Sequence, residues 1–237
     1  MSDLTPGFER PQCWTDRDSL RSKYLELYRE LDYIPAYAAH SELRMEQHGP
    51  QGCIGSPHEW DTHGAQQLEF LLTQAGLEPW KTLLDVGCGT GRLARKAVPY
   101  LAPGHYTGVD IAEGLLDAAE ALSEEEGWDI RAPEFILSRG GLRCLSGGIR
   151  YDVVWAHSVF THLPPGIIQE ILTDLSGMGF GAFFFTYRHA DLPRRSGLKQ
   201  FQYPAAWLME HAEDVGLKAE PIDYVFHAQR TMKVVRA

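Results

Sequence analysis

Leu83-Leu84-Asp85-Val86-Gly87-Cys88-Gly89-Thr90-Gly91-Arg92-Leu93-Ala94 reads as a buried strand that breaks into a glycine turn and then a helix. Thr82, Leu83, Leu84 and Val86 are apolar or β-forming, as a strand covered on both faces requires. Gly87, Gly89 and Gly91 alternate and remove Cβ atoms where the backbone turns sharply and approaches something closely. Helical patterning resumes from Arg92 to Tyr100. In an open α/β sheet, a ligand sits at such a strand end.

A dinucleotide-binding turn has the spacing G-x-G-x-x-G. Here Arg92 stands where that spacing needs its third glycine, and Asp85 stands two residues ahead of Gly87. A carboxylate there is a poor neighbour for a pyrophosphate and suits a ligand with an ammonium or sulfonium charge. On Asp85, Gly87, Gly89 and Gly91 the chain resembles the class I S-adenosylmethionine-dependent methyltransferases, whose first motif is D-x-G-x-G-x-G. The resemblance implies S-adenosylmethionine as cofactor, held in part by this turn. Cys88, inside it, reads as a small packing residue rather than a nucleophile. The plain alternative is a strand–helix turn with no ligand.

The whole chain sets further bounds. Its 237 residues suffice for one sizeable domain with a core, or a domain with an appendage. Hydrophobic content of 44% and charged content of 23% are those of an ordinary globular protein. No apolar run reaches membrane-span length, and the N-terminus lacks a basic-then-apolar leader, so a cytoplasmic protein without membrane partners is expected. Cys13, Cys53, Cys88 and Cys144 are scattered with no C-x-x-C, which reads as reduced thiols. The net charge of -10, with dispersed basic residues, disfavours a nucleic-acid partner.

Residues 1–17 read as poorly ordered until packed. Leu20, Tyr24, Leu27, Tyr28 and Leu31 follow helical spacing from Asp18 to Tyr33, with Asp18 or Ser19 as cap. Further helices are expected at 36–47 and 60–74, separated by a loop at 49–59. Strands follow near 81–86, 106–110, 133–138, 151–156 and 181–187, alternating with helices near 91–101, 112–126 and 164–176. Residues 139–150 and 188–202 read as irregular, then come a helix at 204–215 and a hairpin at 221–226 and 231–236. Strand–helix alternation implies an α/β, doubly wound and mostly parallel sheet. The methyltransferase resemblance implies seven strands, the last antiparallel. The chain thus divides into a helical N-terminal cap, 1–76, and a cofactor-binding core, 77–237.

Asp110 ends the second strand, where a carboxylate can accept both ribose hydroxyls of an adenosine, with Ile111 packed on the adenine. Its plain alternative is a helix cap. After the third strand the family often has an acid; this chain has Ser138 and Arg139 there. After the fourth strand, Ala156 and His157 fall at the methionine end of the cofactor. The N/D-P-P-F/Y signature of base-directed amine methyltransferases is absent from that place, against nucleobase N-methylation. His162 lies where relatives place a histidine near the acceptor, and a neutral imidazole can take a hydroxyl proton as the methyl arrives. His189 or Asp191 is the second candidate base. His58/His63 and His157/His162 are five apart, off one helical face, so no metal site is expected. Tyr33, Tyr37, Trp60 and His63 could form a lid or simply core.

The expected function is methylation of a small-molecule acceptor, at oxygen first, in natural-product metabolism. The competing readings are a protein or RNA methyltransferase, a non-catalytic adenosylmethionine-binding protein, and a nucleotide-dependent oxidoreductase.

Overall fold

In a computed structural model the described residues are 12–145 and 150–237, with side chains from residue 21 onward. The expectation for residues 1–11, and part of that for 139–150, lies outside them.

The element order begins with three helices: α1 (Gln12–Glu30), α2 (Tyr33–Gly52) and α3 (Trp60–Thr73). Alternation follows: β1 (Leu83–Val86), α4 (Ala94–Tyr100), β2 (Tyr106–Asp110), α5 (Glu113–Glu126), β3 (Glu134–Leu137), β4 (Arg150–Ala156), α6 (Pro165–Gly177) and β5 (Gly179–Tyr187). A two-stranded ribbon, β6 (Arg194–Arg195) and β7 (Phe201–Gln202), precedes α7 (Ala205–Glu213), β8 (Leu217–Phe226) and β9 (Gln229–Arg236).

The main sheet has seven strands in the order β3-β2-β1-β4-β5-β9-β8. Neighbours from β3 to β5 are parallel, and β9 pairs antiparallel with both β5 and β8. This is the Rossmann-like methyltransferase sheet that the resemblance implied. The order reverses between β1 and β4, which opens a crevice beyond their carboxyl ends. Pro221 lies in β8, an edge strand, where a missing N–H costs no ladder bond on the solvent side.

Two cores flank the sheet because strand side chains alternate. Leu84, Val86, Val154, Ala156, Phe183 and Phe185 join the core beneath α6 and α7. Leu83, Val153, Trp155 and Phe184 join the other, with Phe70 of α3 and Ala97 and Val98 of α4. The run Phe183-Phe184-Phe185 is buried on both faces, as its unbroken apolar character requires.

Three local expectations change. The first helix starts at Gln12, so Asp18 and Ser19 lie inside it rather than at its start. Pro35 falls in the first turn of α2 rather than between helices, where its missing N–H has no helical partner to lose. The 49–59 stretch is not all loop: α2 continues to Gly52 through a kink at Gly49 (φ 71°), and a 3-10 turn covers Pro57–Glu59. No helix among the described residues is long and apolar enough to cross a membrane.

Candidate active site

A cavity of about 370 Å³ lies over the carboxyl ends of β1, β2 and β4. That volume is in the range of small-molecule sites. Its floor is the glycine turn. Gly87 has φ 72°, and a Cβ there would lie 2.4 Å from Val159 Cγ2, so only glycine lets the strand end pass under the β4 turn. Asp85 lines the cavity, is 3% exposed and accepts a 2.8 Å hydrogen bond from the Tyr106 hydroxyl. Burial raises its carboxyl to about 7, against the opposing pull of the Tyr106 bond and Arg92.

Asp110 closes the next strand. Its Oδ2 accepts from the Gly89 amide (2.8 Å), and its Oδ1 accepts from the amides of Ile111 (2.7 Å) and Ala112 (3.2 Å). Burial pushes its pKa up, and those three amides oppose the rise. The carboxylate therefore fixes the glycine turn to the start of α5. A carboxylate offers roughly four acceptor sites, and three are taken.

Segment 50–55 lies across the glycine turn. Thr90 Oγ1 donates to the Pro50 carbonyl (2.8 Å), and Arg92 Nη1 donates to that of Ile54 (3.3 Å). From α2, Arg44 Nε donates to the Cys53 carbonyl (3.0 Å). Arg92 Nη2 also donates to His157 Nδ1 (3.3 Å), which places the His157 proton on Nε2. Burial and the Arg92 charge hold His157 well below the usual imidazole range. Arg92 Nε and Gln67 Nε2 are buried donors on cavity-lining residues, without partners among the described residues.

The β4 exit is built tightly. Ser158 has φ 60°, unusual for a residue with a Cβ, and its amide donates to Thr186 Oγ1 (2.8 Å). Thr186 donates to Gln229 Oε1 (2.7 Å), and Gln229 Nε2 donates back to Ser158 Oγ (2.6 Å). This closed network over-determines the turn that carries His162. Two tyrosines then clamp the backbone: Tyr33 donates to the His162 carbonyl (2.5 Å) and Tyr203 to that of Leu163 (2.5 Å). His162 Nδ1 lies 2.6 Å from the Lys199 carbonyl oxygen. A carbonyl only accepts, so Nδ1 carries the proton and Nε2 keeps its lone pair. Burial first, then Lys199, lowers the His162 pKa to about 4, so the ring is neutral at pH 7.

A family described as a methyltransferase domain matches residues 84–178. Those residues run from the glycine turn through Asp110 to the end of α6. The match covers less than half of the chain.

Curated proteins resemble parts of the chain. The chain is similar to malonyl-[acyl-carrier protein] O-methyltransferase of Brevibacillus brevis, 40% identical over 47 residues, which are 20% of this chain and 17% of that protein. It is similar to sterol 24-C-methyltransferase of Gibberella zeae, 28% identical over 138 residues, 55% of this chain and 36% of that protein. The matches thus span well under two thirds of those relatives. In structure, the chain resembles magnesium protoporphyrin IX methyltransferase from Synechocystis PCC 6803, solved with bound SAH. The TM-score is 0.58 at 17% identity, covering 95% of this chain and 100% of that one. At such identity the likeness is one of fold.

The structure brings together Asp85, Gly87, Cys88, Gly89, Asp110, Ile111, Ser138, His157 and His162 on the cavity wall. Four expected site residues do not line it. Gly91 turns away, its Cβ position 3.3 Å from Ala119 Cβ, so this glycine serves helix packing. Ala156 is fully buried in the sheet core. Arg139 is exposed on the turn after β3, while Ser138 before it points inward and is fixed by the Gly140 amide and Gly141 carbonyl. His189 pairs with Tyr203 in an isolated bridge outside the cavity, its ring beside exposed Asp191. Among the expected lid residues, Tyr37 lines the cavity. Tyr33 acts through its backbone clamp, Trp60 is core, and the His63 ring lies tilted against that of His227, centroids 4.3 Å apart. Among the described residues no three metal-ligating side chains converge.

Sequence reasoning missed Gln67, Arg44 and Lys199, and read Arg92 only as a missing glycine. Only Arg92 carried a local signal, since it directly follows the glycine motif.

Asp85 gives a stability prediction. Its folded pKa lies above the ordinary carboxylate value, so its contribution is full below about pH 4 and is lost as pH rises through about 7. Asp85→Asn keeps an acceptor for Tyr106 and removes the buried charge. Thermal melts should show the variant more stable than wild type at pH 8, with the gap closing at pH 4. Equal melting temperatures at pH 8 contradict this account.

Proposed function

We propose that the protein transfers the methyl group of S-adenosylmethionine to a hydroxyl oxygen of a small, natural-product-like acceptor. The carrying observation is one cavity that joins the glycine turn and Asp110 to a histidine of fixed tautomer with a free Nε2.

The residues present fit the cofactor. The turn around Gly87 leaves no room for a side chain, and Asp110 keeps one acceptor site for a ribose hydroxyl. At the other end, Asp85 suits an ammonium group. The unpartnered donors of Arg92 and Gln67 suit a carboxylate, so these residues together match an α-amino acid. Bound there, the cofactor supplies an electrophilic methyl on a sulfonium, whose departure as a thioether needs no acid.

The chain's own residues then do the remaining work. The cavity walls would hold an acceptor oxygen against the cofactor's methyl group and shield it from water. His162 Nε2 accepts the hydroxyl proton as the new oxygen–carbon bond forms, and the Lys199 carbonyl steadies the resulting imidazolium through Nδ1–H.

Calorimetry tests the cofactor. S-adenosylmethionine and S-adenosylhomocysteine should each bind one to one at micromolar concentration, and a nicotinamide dinucleotide should not. No heat with S-adenosylmethionine overturns the reading.

A further inference from the structure

The cavity wall also holds two basic side chains. Arg44 of α2 and Lys199, just before β7, both line it and are half-buried. Among the described residues, neither forms an ion pair with a carboxylate. Arg44 donates only to the backbone carbonyls of Cys53 (3.0 Å) and Gly52 (3.4 Å), which leaves Nη1 without a partner among the described residues. Lys199 Nζ rests 5.0 Å from the centre of the Tyr37 ring. That ring lies 5.6 Å from the ring of His162, so lysine and candidate base share one aromatic wall.

Burial, with Arg44 adding to it, lowers the Lys199 ammonium to about 8. Two like charges, partly desolvated and without a counter-ion, are costly unless a ligand brings the opposite charge. Ile34, Leu163, Ile167 and Ile171 supply apolar wall to the same cavity. The complement is an apolar body carrying one anionic group.

We propose that the methyl acceptor carries a carboxylate or a phosphate, and that Lys199 and Arg44 bind this group beside His162. The proposal rests on the methyl-transfer reading above. It also gives the two cations a part in the chemistry. Both oppose protonation of His162, and a bound anion offsets them, so the imidazole becomes a stronger base when the right acceptor is in place.

The test uses protein saturated with S-adenosylhomocysteine, titrated with benzoate and phenyl phosphate, and with benzamide as neutral counterpart. Wild type should bind at least one anion about tenfold more tightly than benzamide, and the better anion identifies the class. Lys199→Met should abolish that preference and Lys199→Arg should restore it. The Lys199 carbonyl that holds His162 survives both changes, and circular dichroism checks the fold. Arg44→Gln provides a second variant with the same readout. Three results overturn the proposal: equal binding of benzamide and both anions, no anion binding at millimolar concentration, or unchanged preference in Lys199→Met. A tenfold loss of S-adenosylhomocysteine affinity in Lys199→Met also overturns it, by assigning the lysine to the cofactor. If wild type does not bind S-adenosylhomocysteine at all, the methyl-transfer reading itself fails, a separate outcome.

Discussion

Asp110→Ala should weaken S-adenosylhomocysteine binding by at least about 100-fold, roughly 2.7 kcal/mol, and lower the melting temperature at the same time. The reason is that one carboxylate holds three backbone amides, those of Gly89, Ile111 and Ala112. Each loses a charge-assisted acceptor in the variant, and a buried donor left unpaired costs about 1–3 kcal/mol. The Gly89 amide belongs to the turn that forms the cavity floor, so the damage reaches the ligand through the turn as well as through the lost ribose contact. Asp110→Asn, which retains one oxygen and sets an amide group against other donors, should fall between. Calorimetry and melting on the three proteins separate the roles. A lowered melting temperature with unchanged affinity would reduce Asp110 to a cap.

His162→Gln should lower turnover by about 10²–10⁴-fold while S-adenosylhomocysteine affinity stays within a factor of about two. Glutamine occupies similar space and cannot take a proton. His162 stays neutral at neutral pH and loses its base function only as pH falls through about 4. Wild-type turnover on an uncharged hydroxyl acceptor, which leaves Lys199 and Arg44 unneutralised, should therefore show no His162-linked loss between pH 7 and pH 5 beyond that of the acceptor itself. The linked stability runs the same way. A histidine whose folded pKa is depressed contributes stability above its unfolded value of about 6.5, lost as pH falls towards the folded one. The glutamine variant should therefore lose less stability than wild type between pH 6.5 and pH 4. Single-turnover kinetics and melts across that range decide it. Unaltered turnover would make His162 purely structural.

The sheet was legible wherever its signal was local. The second strand, Tyr106–Asp110, matches its expected bounds because the Pro103-Gly104 turn before it, the β-formers Tyr106, Thr107 and Val109, and the acid at its end all lie within a few residues. The β6–β7 ribbon was not legible, since two-residue strands of Arg194, Arg195, Phe201 and Gln202 carry no periodicity. Pairing creates them. The cofactor side of the cavity follows the same division. Asp85, Gly87 and Asp110 sit at strand ends that the alternation already marks. Gln67, Arg44 and Lys199 reach the cavity from α3, α2 and the approach to β7, and no spacing in the chain relates them. His162 was the first candidate base and His189 the second, and the structure places His162 on the cavity wall and His189 outside it.

The bonds that pin segment 50–55 have a consequence for grafting. Thr90 and Arg92 hold that segment from the sheet side, and Arg44 holds it from α2. The N-terminal helices and the glycine turn are thus cut to fit one another. A chimera that takes residues 1–76 from a relative inherits a roof whose carbonyls no longer meet Thr90 and Arg92. Any exchange of acceptor preference between such proteins has to move the roof and the two residues after its glycines as one cassette.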